Sequence, residues 1–127
     1  MSACAKALLA LAAIAMSLPA IAQTSPQTTA FDGTYNGVSR TLEGTMTGHT
    51  SHSCPPNGRP APLTIANGAA RTAWAGTAEG SVTPQGAVVM HAPNGARIEA
   101  QIDGQGNVTG RLTSACSYQM VWRKQGR

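Results

Sequence analysis

Turn-forming groups that recur at intervals of about nine to eleven residues constrain the fold of this chain most strongly. These groups are Asn67-Gly68, Gly76-Thr77, Pro84-Gln85-Gly86, Pro93-Asn94-Gly95, Gly104-Gln105-Gly106 and Thr113-Ser114-Ala115. The segments between them are about six or seven residues long, which suits short β-strands and is too short for amphipathic helices. The spacing therefore predicts an all-β domain built as an antiparallel meander.

Within the predicted strands, apolar and polar residues alternate as they do when one face of a sheet is buried. The apolar residues occupy even-numbered positions from about 70 to 122, as in the run Ile98-Glu99-Ala100-Gln101-Ile102. A three-residue hairpin loop that ends in Gly preserves this parity, whereas the two-residue turn Asn67-Gly68 reverses it. Ile65 before that turn is odd-numbered and Ala70 after it is even-numbered. Turn chemistry and hydrophobic pattern therefore predict the same inward face.

The predicted strands fit a small up-and-down barrel of about eight strands, with a two-sheet sandwich as the alternative. They cover residues 31–42, 62–66, 69–75, 78–83, 87–92, 96–102, 107–113 and 116–123. The first strand is irregular, because Phe31 and Tyr35 are odd-numbered whereas Val38 and Leu42 are even-numbered. A β-bulge near Gly37 would reconcile the two sets, since an extra residue shifts the parity.

Small residues occupy many of the predicted inward positions. They are Ala70, Ala78, Gly80, Ala96, Ala100 and Gly110. Barrels of this size are either filled by side chains or hold a small ligand. The pattern favours a tightly closed barrel filled by Trp74, Tyr118 and Trp122 over one with a shallow cavity.

The first 22 residues have the pattern of a secretory signal peptide. Lys6 supplies a positive charge, residues 7–18 are almost wholly apolar, and Ala20 and Ala22 fit a cleavage site before Gln23. The apolar stretch is shorter than the roughly 20 residues that span a bilayer. We expect a signal peptide over 1–22, a disordered tether over 23–30 and a single domain over 31–127, located in the periplasm or secreted, with no transmembrane segment after cleavage.

Three cysteines occur in the chain, and Cys4 would leave with the signal peptide. The remaining pair, Cys54 and Cys116, is predicted to form a disulfide, because an even cysteine count in an exported protein favours one. The bridge would pin the irregular segment 43–62, in which prolines and glycines exclude a central strand.

Composition excludes several functions. A chain of 127 residues with a formal net charge of +4 allows one domain and lacks the concentrated basic charge of a nucleic-acid binder. Nucleophilic catalysis has no support, since the sequence contains no Gly-x-Ser-x-Gly motif and no cysteine left free. Of the acids, Glu79 and Glu99 fall on the predicted outer face, and Asp32 and Asp103 precede glycines as turn residues do. We therefore predict a monomeric protein without enzymatic activity and without a cofactor.

The segment 43–62 is the predicted binding loop, because long loops in compact domains are often functional. The candidate binding residues in it are Met46, His49, His52, Asn57 and Arg59. The alternative hypothesis is a periplasmic copper site, since thioether and imidazole ligands suit copper. Its candidate ligands would be His49 and His52, together with Met46. The third histidine, His91, falls on the predicted outer face of a strand and has no evident partner for a metal site.

The run Phe31-Asp32-Gly33-Thr34-Tyr35-Asn36-Gly37, followed by Leu63-Thr64-Ile65-Ala66-Asn67-Gly68 and bracketed by the two cysteines, resembles small exported proteins of proteobacteria that have no assigned function. The predicted topology is also similar to secreted barrels that inhibit bacterial proteases or lysozyme. The resemblance implies a binding or inhibitor-like domain of the cell envelope. Its partner would be an envelope or secreted protein, an envelope polymer or a small ligand.

Overall fold

The computed structural model describes residues 28–45 and 53–126, which form a closed barrel of eight antiparallel strands. The strands are β1 (Gly33–Thr45), β2 (Leu63–Ala66), β3 (Ala69–Ala73), β4 (Thr77–Val82), β5 (Ala87–His91), β6 (Arg97–Ile102), β7 (Asn107–Thr113) and β8 (Cys116–Lys124). Each strand pairs with its sequence neighbours, and β8 pairs with β1 to close the barrel. The all-β meander is confirmed, and the barrel rather than the sandwich is correct. The predicted signal peptide and most of the predicted tether lie outside the described residues.

The hairpin loops follow the predicted parity. Val82 lies opposite Val88 across one three-residue loop, and Ile102 lies opposite Val108 across another. The last residues of the three loops are Gly86, Gly95 and Gly106, with φ of 84°, 88° and 83°. Gly adopts this left-handed conformation with little steric strain because it has no Cβ, which explains why each loop ends in Gly. At the two-residue turn both Asn67 and Gly68 have positive φ, as a primed turn requires.

The core consists mainly of the predicted even-numbered residues. Ile98, Val108 and Trp122 are each 0% exposed. Residues at even positions 70–122 that are buried and apolar are Ala70, Ala78, Val82, Val88, Met90, Ala92, Ala96, Ile98, Ile102, Val108, Leu112, Cys116, Tyr118, Met120 and Trp122. Trp74 differs from Tyr118 and Trp122, because it follows β3 and is only half-buried at one end of the barrel.

β1 contains the predicted bulge. Gly37 pairs with Trp122 and Ser39 pairs with Val121, so Val38 is the extra residue on β1. The structure differs from the sequence pattern at this point, because Val38 is 44% exposed rather than facing the core. After the bulge, Arg40 takes the inward position.

Asp103 and Asp32 are turn residues, as predicted. The Asp103 carboxylate accepts hydrogen bonds from the backbone N–H groups of Gln105 at 2.8 Å and Asn107 at 2.9 Å, and from Asn107 Nδ2 at 3.1 Å. Asp32 accepts from the N–H of Asn67 at 2.9 Å. The backbone hydrogen bonds from Asn107 and Gln105 lower the pKa of Asp103 below its ordinary value of 3.8.

Replacing Asp103 with Asn is expected to lower the melting temperature at neutral pH, because the amide accepts weaker hydrogen bonds than the carboxylate. A carboxyl whose pKa is lowered by folding stabilises the protein above its unfolded pKa, and this contribution is lost as the pH falls through the folded pKa. The difference between wild-type and D103N melting temperatures should therefore shrink in the acid range below 3.8. An equal difference at neutral and acid pH would contradict this assignment.

Candidate binding site at the barrel mouth

Alternate turns of an antiparallel meander lie at the same end of the barrel. The turns after β3, β5 and β7 meet at one end, together with Ser53 and Pro55. These two residues begin the segment 53–62 of the long connection between β1 and β2, which then runs along β1. We call this end the barrel mouth and residues 53–62 the plug segment. A pocket of about 440 Å³ opens there. Its described lining includes Ser53, Pro55, Trp74, Ala75, Asn94 and Ser114.

The disulfide between Cys54 and Cys116 is confirmed. It joins the plug segment to the first residue of β8, with the two Cα atoms 5.9 Å apart, and both cysteines are buried. The bridge therefore fixes one wall of the pocket to the barrel. Because Cys54 is oxidised, it cannot act as a thiolate ligand or as a nucleophile.

The plug segment is also bound along β1. Arg40 and Gly58 form an antiparallel bridge, in which the Arg40 N–H donates at 2.6 Å and the Gly58 N–H donates at 3.1 Å. The Leu42 N–H donates to Asn57 Oδ1 at 2.8 Å. This pairing continues the wall of the barrel where β1 has separated from β2. Asn57 therefore holds the chain in place, whereas Arg59 is exposed on the outside.

Two buried side chains of β8 hold the plug segment from inside the barrel. The Tyr118 hydroxyl donates to the Pro55 carbonyl at 2.6 Å, and Trp122 Nε1 donates to the Ala61 carbonyl at 2.9 Å. Both rings are 0% exposed, so these hydrogen bonds satisfy polar atoms that would otherwise be buried without partners. The plug segment is thus held by the disulfide, by its pairing with β1 and by two hydrogen bonds from side chains of β8.

Trp74, Tyr118 and Arg40 form a cluster at the pocket. The Trp74 and Tyr118 rings meet edge-on, with centroids 5.4 Å apart and planes inclined by 66°. The Arg40 guanidinium lies 5.6 Å from the Trp74 centroid and 5.7 Å from the Tyr118 centroid, which is cation–π distance. Arg40 Nη2 donates to the Pro56 carbonyl at 2.8 Å, and the buried Nε has no hydrogen-bond partner among residues 28–45 and 53–126. This cluster fixes the orientation of the Trp74 ring.

Burial raises the pKa of Tyr118 above its ordinary value of 10.0, and the positive charge of Arg40 opposes this shift. The neutral hydroxyl is therefore the form that folding favours. A group with a raised folded pKa stabilises the protein below its unfolded pKa, and the contribution is lost as the pH rises through the folded pKa.

Replacing Tyr118 with Phe is expected to lower the free energy of unfolding by about 1 kcal/mol, because the hydrogen bond to Pro55 is lost while the ring packing stays. Urea denaturation at neutral pH measures this difference. The wild-type protein should also lose stability in alkali above the ordinary tyrosine pKa, and Y118F should lose less. A Y118F variant as stable as the wild type, with the same alkaline transition, would contradict the role of this hydroxyl.

The pocket lining is mainly apolar, with a few polar groups and no charged side chain among the described residues. Asn94 Oδ1 accepts a hydrogen bond from the Ala96 N–H at 3.0 Å, which leaves the Asn94 amide N–H groups available. The Ser114 hydroxyl donates to the Cys116 carbonyl at 2.7 Å. Ala75 has φ of 48°, an uncommon conformation for a residue with a Cβ, and it follows Trp74 in the turn after β3. Strained residues of this kind cluster at binding sites.

The five carboxylates do not form a reactive pair at the pocket. Three of them make ion pairs on the outer face: Arg71–Glu79 at 3.2 Å, Arg97–Glu99 at 2.6 Å and Arg111–Glu43 at 2.9 Å. The other two are the turn residues already described. No carboxylate lines the pocket among the described residues.

The copper hypothesis stays a prediction, because Met46, His49 and His52 lie outside the described residues. Among residues 28–45 and 53–126, no group of three or more His, Cys, Asp and Glu residues could hold a metal ion. His91 lies on the outer face of β5, opposite Glu79 on one side and Arg97 on the other.

No protein-family model, no curated protein and no solved structure matches this chain. The likeness to exported proteobacterial proteins and to inhibitor barrels therefore stays a prediction. Within the described ranges, the chain contains no helix of the length and apolar character that crossing a membrane requires.

The described part of segment 43–62 reaches the pocket at Ser53 and Pro55. The binding role predicted for this loop stays a prediction, and sequence reasoning missed the residues of other turns that line the pocket. Trp74 was predicted as a core residue, and Asn94 and Ser114 were interpreted only as turn residues. Their meeting depends on the closure of the barrel, which brings the turns after β3, β5 and β7 to one end. The one local feature that could have indicated the pocket was a tryptophan, Trp74, at the junction of a strand and a turn.

Proposed function

We propose that this protein is an exported, non-enzymatic binding domain of the bacterial cell envelope, and that the barrel mouth is its binding surface. The observation that carries the proposal is the half-buried Trp74 ring in a concave pocket of about 440 Å³. Small-molecule and peptide sites are typically concave, with apolar walls and a few convergent polar groups. The mouth has this composition.

The construction of the mouth supports this role. The disulfide, the β1 edge pairing and the hydrogen bond from Tyr118 to Pro55 fix the plug segment before any ligand arrives. A surface that is already ordered loses less conformational entropy on binding, which favours affinity. Disulfides persist in oxidising compartments, so the confirmed bridge is consistent with export.

The experiment compares three immobilised proteins exposed to the same bacterial envelope extract. They are the wild type, Trp74→Ala at the mouth and Gln105→Ala, which changes an exposed residue in the turn after β6 at the opposite end. We expect a component that the wild type and Q105A retain equally and that W74A does not retain. Identical profiles for all three proteins would overturn the proposal. Thermal denaturation of each variant confirms that W74A is folded.

A further inference from the structure

The charges around the pocket indicate a neutral ligand. The described lining residues carry no charge, and the nearby Arg40 already donates to Pro56 and lies against the Trp74 and Tyr118 rings. A charged ligand in this pocket would lose hydration without an opposite charge to replace it, which is costly. Among the described residues, the lining therefore offers no charged side chain to pair with an ionic ligand.

Trp74 supplies a flat apolar surface in this neutral pocket. Tyr118 and Arg40 contact the indole from the barrel, and the ring still lines the pocket beside Pro55 and Ala75. The face of an aromatic ring carries partial negative charge, which attracts weakly positive C–H groups. A pyranose ring presents such C–H groups on its faces and hydroxyl groups around its edge.

Two donors beside this surface have no partner among the described residues. Trp74 Nε1 makes no hydrogen bond there, and Asn94 uses its Oδ1 on Ala96 while its amide N–H groups stay unpaired. In contrast, the second tryptophan, Trp122, donates to Ala61. Free N–H donors at the edge of an apolar surface match the hydroxyl oxygens of a sugar.

The size of the pocket favours a small unit over a protein surface. About 440 Å³ lies in the lower part of the ~300–1,000 Å³ range of small-molecule sites. A stable protein interface buries about 800 Å² on each partner, which a pocket of this size does not supply by itself.

From these observations we infer that the mouth binds a neutral sugar ring, which stacks on Trp74 and accepts hydrogen bonds from Asn94. The inference rests on the proposed binding function and names its ligand class. Binding would leave the covalent structure of the sugar unchanged. The ring could belong to a free sugar or to an envelope glycan, and the length dependence of binding distinguishes these sources.

Calorimetry and tryptophan fluorescence test the inference with chitotetraose, cellotetraose and maltotetraose, with the N-acetylglucosamine and glucose monomers, and with tetragalacturonate as an anionic control. We expect at least one neutral tetrasaccharide to bind with a Kd of about 1 mM or tighter. Tighter binding of the tetrasaccharide than of its monomer indicates a glycan, and equal binding indicates a free sugar. Tetragalacturonate should bind more weakly than the best neutral sugar.

Three variants locate the sugar. Trp74→Ala should weaken binding about tenfold or more, because the stacking surface is removed. Asn94→Asp keeps the Oδ1 acceptor for Ala96 but removes the amide donors, and it should weaken binding about tenfold while the exposed turn stays folded. Gln105→Ala at the opposite end should bind like the wild type.

The inference is overturned if no neutral sugar binds, if tetragalacturonate binds as tightly, or if W74A and N94D bind like the wild type. The extract experiment separates this failure from failure of the proposed function. A component retained through Trp74 without sugar binding would overturn the sugar and leave the binding function intact. If the component retained through Trp74 is a protein without a glycan, the sugar inference is likewise overturned and the binding function stands.

Discussion

Replacing Cys54 and Cys116 with Ala is expected to lower the free energy of unfolding by about 4 kcal/mol. The two cysteines are 62 residues apart in the sequence, so the bridge closes a long loop of the unfolded chain and restricts its conformations. Small domains have net stabilities of about 5–15 kcal/mol, and the expected loss is a large share of that. The hydrogen bond from Tyr118 to Pro55 should weaken as well, because the bridge positions the plug segment above Tyr118.

Urea denaturation of the oxidised wild type, the reduced wild type and the double variant measures this effect. The reduced wild type and the double variant should agree, and a reducing agent should leave the double variant unchanged. If removing the bridge lowers the free energy of unfolding by less than about 1 kcal/mol, other contacts are sufficient to hold the plug segment in place. That result would contradict the role assigned to the disulfide.

The parts of the fold that could be predicted from the sequence are those encoded locally. A loop that ends in Gly86 or Gly106 fixes its own geometry through one positive φ, and that geometry fixes the parity of the next strand. The three loops of this kind align β4, β5, β6 and β7, and the two-residue turn Asn67-Gly68 aligns β2 with β3. The antiparallel meander then follows, because each strand pairs with its neighbours in the chain.

The contacts that close the barrel and shape the mouth could not be predicted in this way, because they join residues that are distant in the sequence. Val38 was interpreted as facing the core, but the bulge places it outside and turns Arg40 inward instead. Gly37 has no side chain because the Pro60 carbonyl occupies that space: a Cβ there would lie only 1.9 Å from Pro60 O. Nothing in the local sequence around Gly37 indicates that residue 60 packs there.

Gly80→Ala is expected to lower the free energy of unfolding by about 3 kcal/mol or more, or to prevent folding. Gly80 lies on β4 opposite Met90 of β5, and a Cβ at this position would lie 1.7 Å from the Val89 carbonyl oxygen. It would also lie 2.7 Å from the Met90 Cα. These atoms belong to the backbone of the neighbouring strand, so they can move away only if the β4–β5 hydrogen bonds are broken.

Gly104→Ala is the matched control, since a Cβ there would meet nothing within 4 Å. Its effect on stability should be within about 0.5 kcal/mol. Thermal and urea denaturation of the two variants give the comparison. Equal stability of G80A and G104A would show that β4 and β5 can separate at low cost, and the tight closure of the barrel would then be wrong. A large difference would confirm that the backbones of β4 and β5 approach each other too closely at Gly80 to admit a side chain.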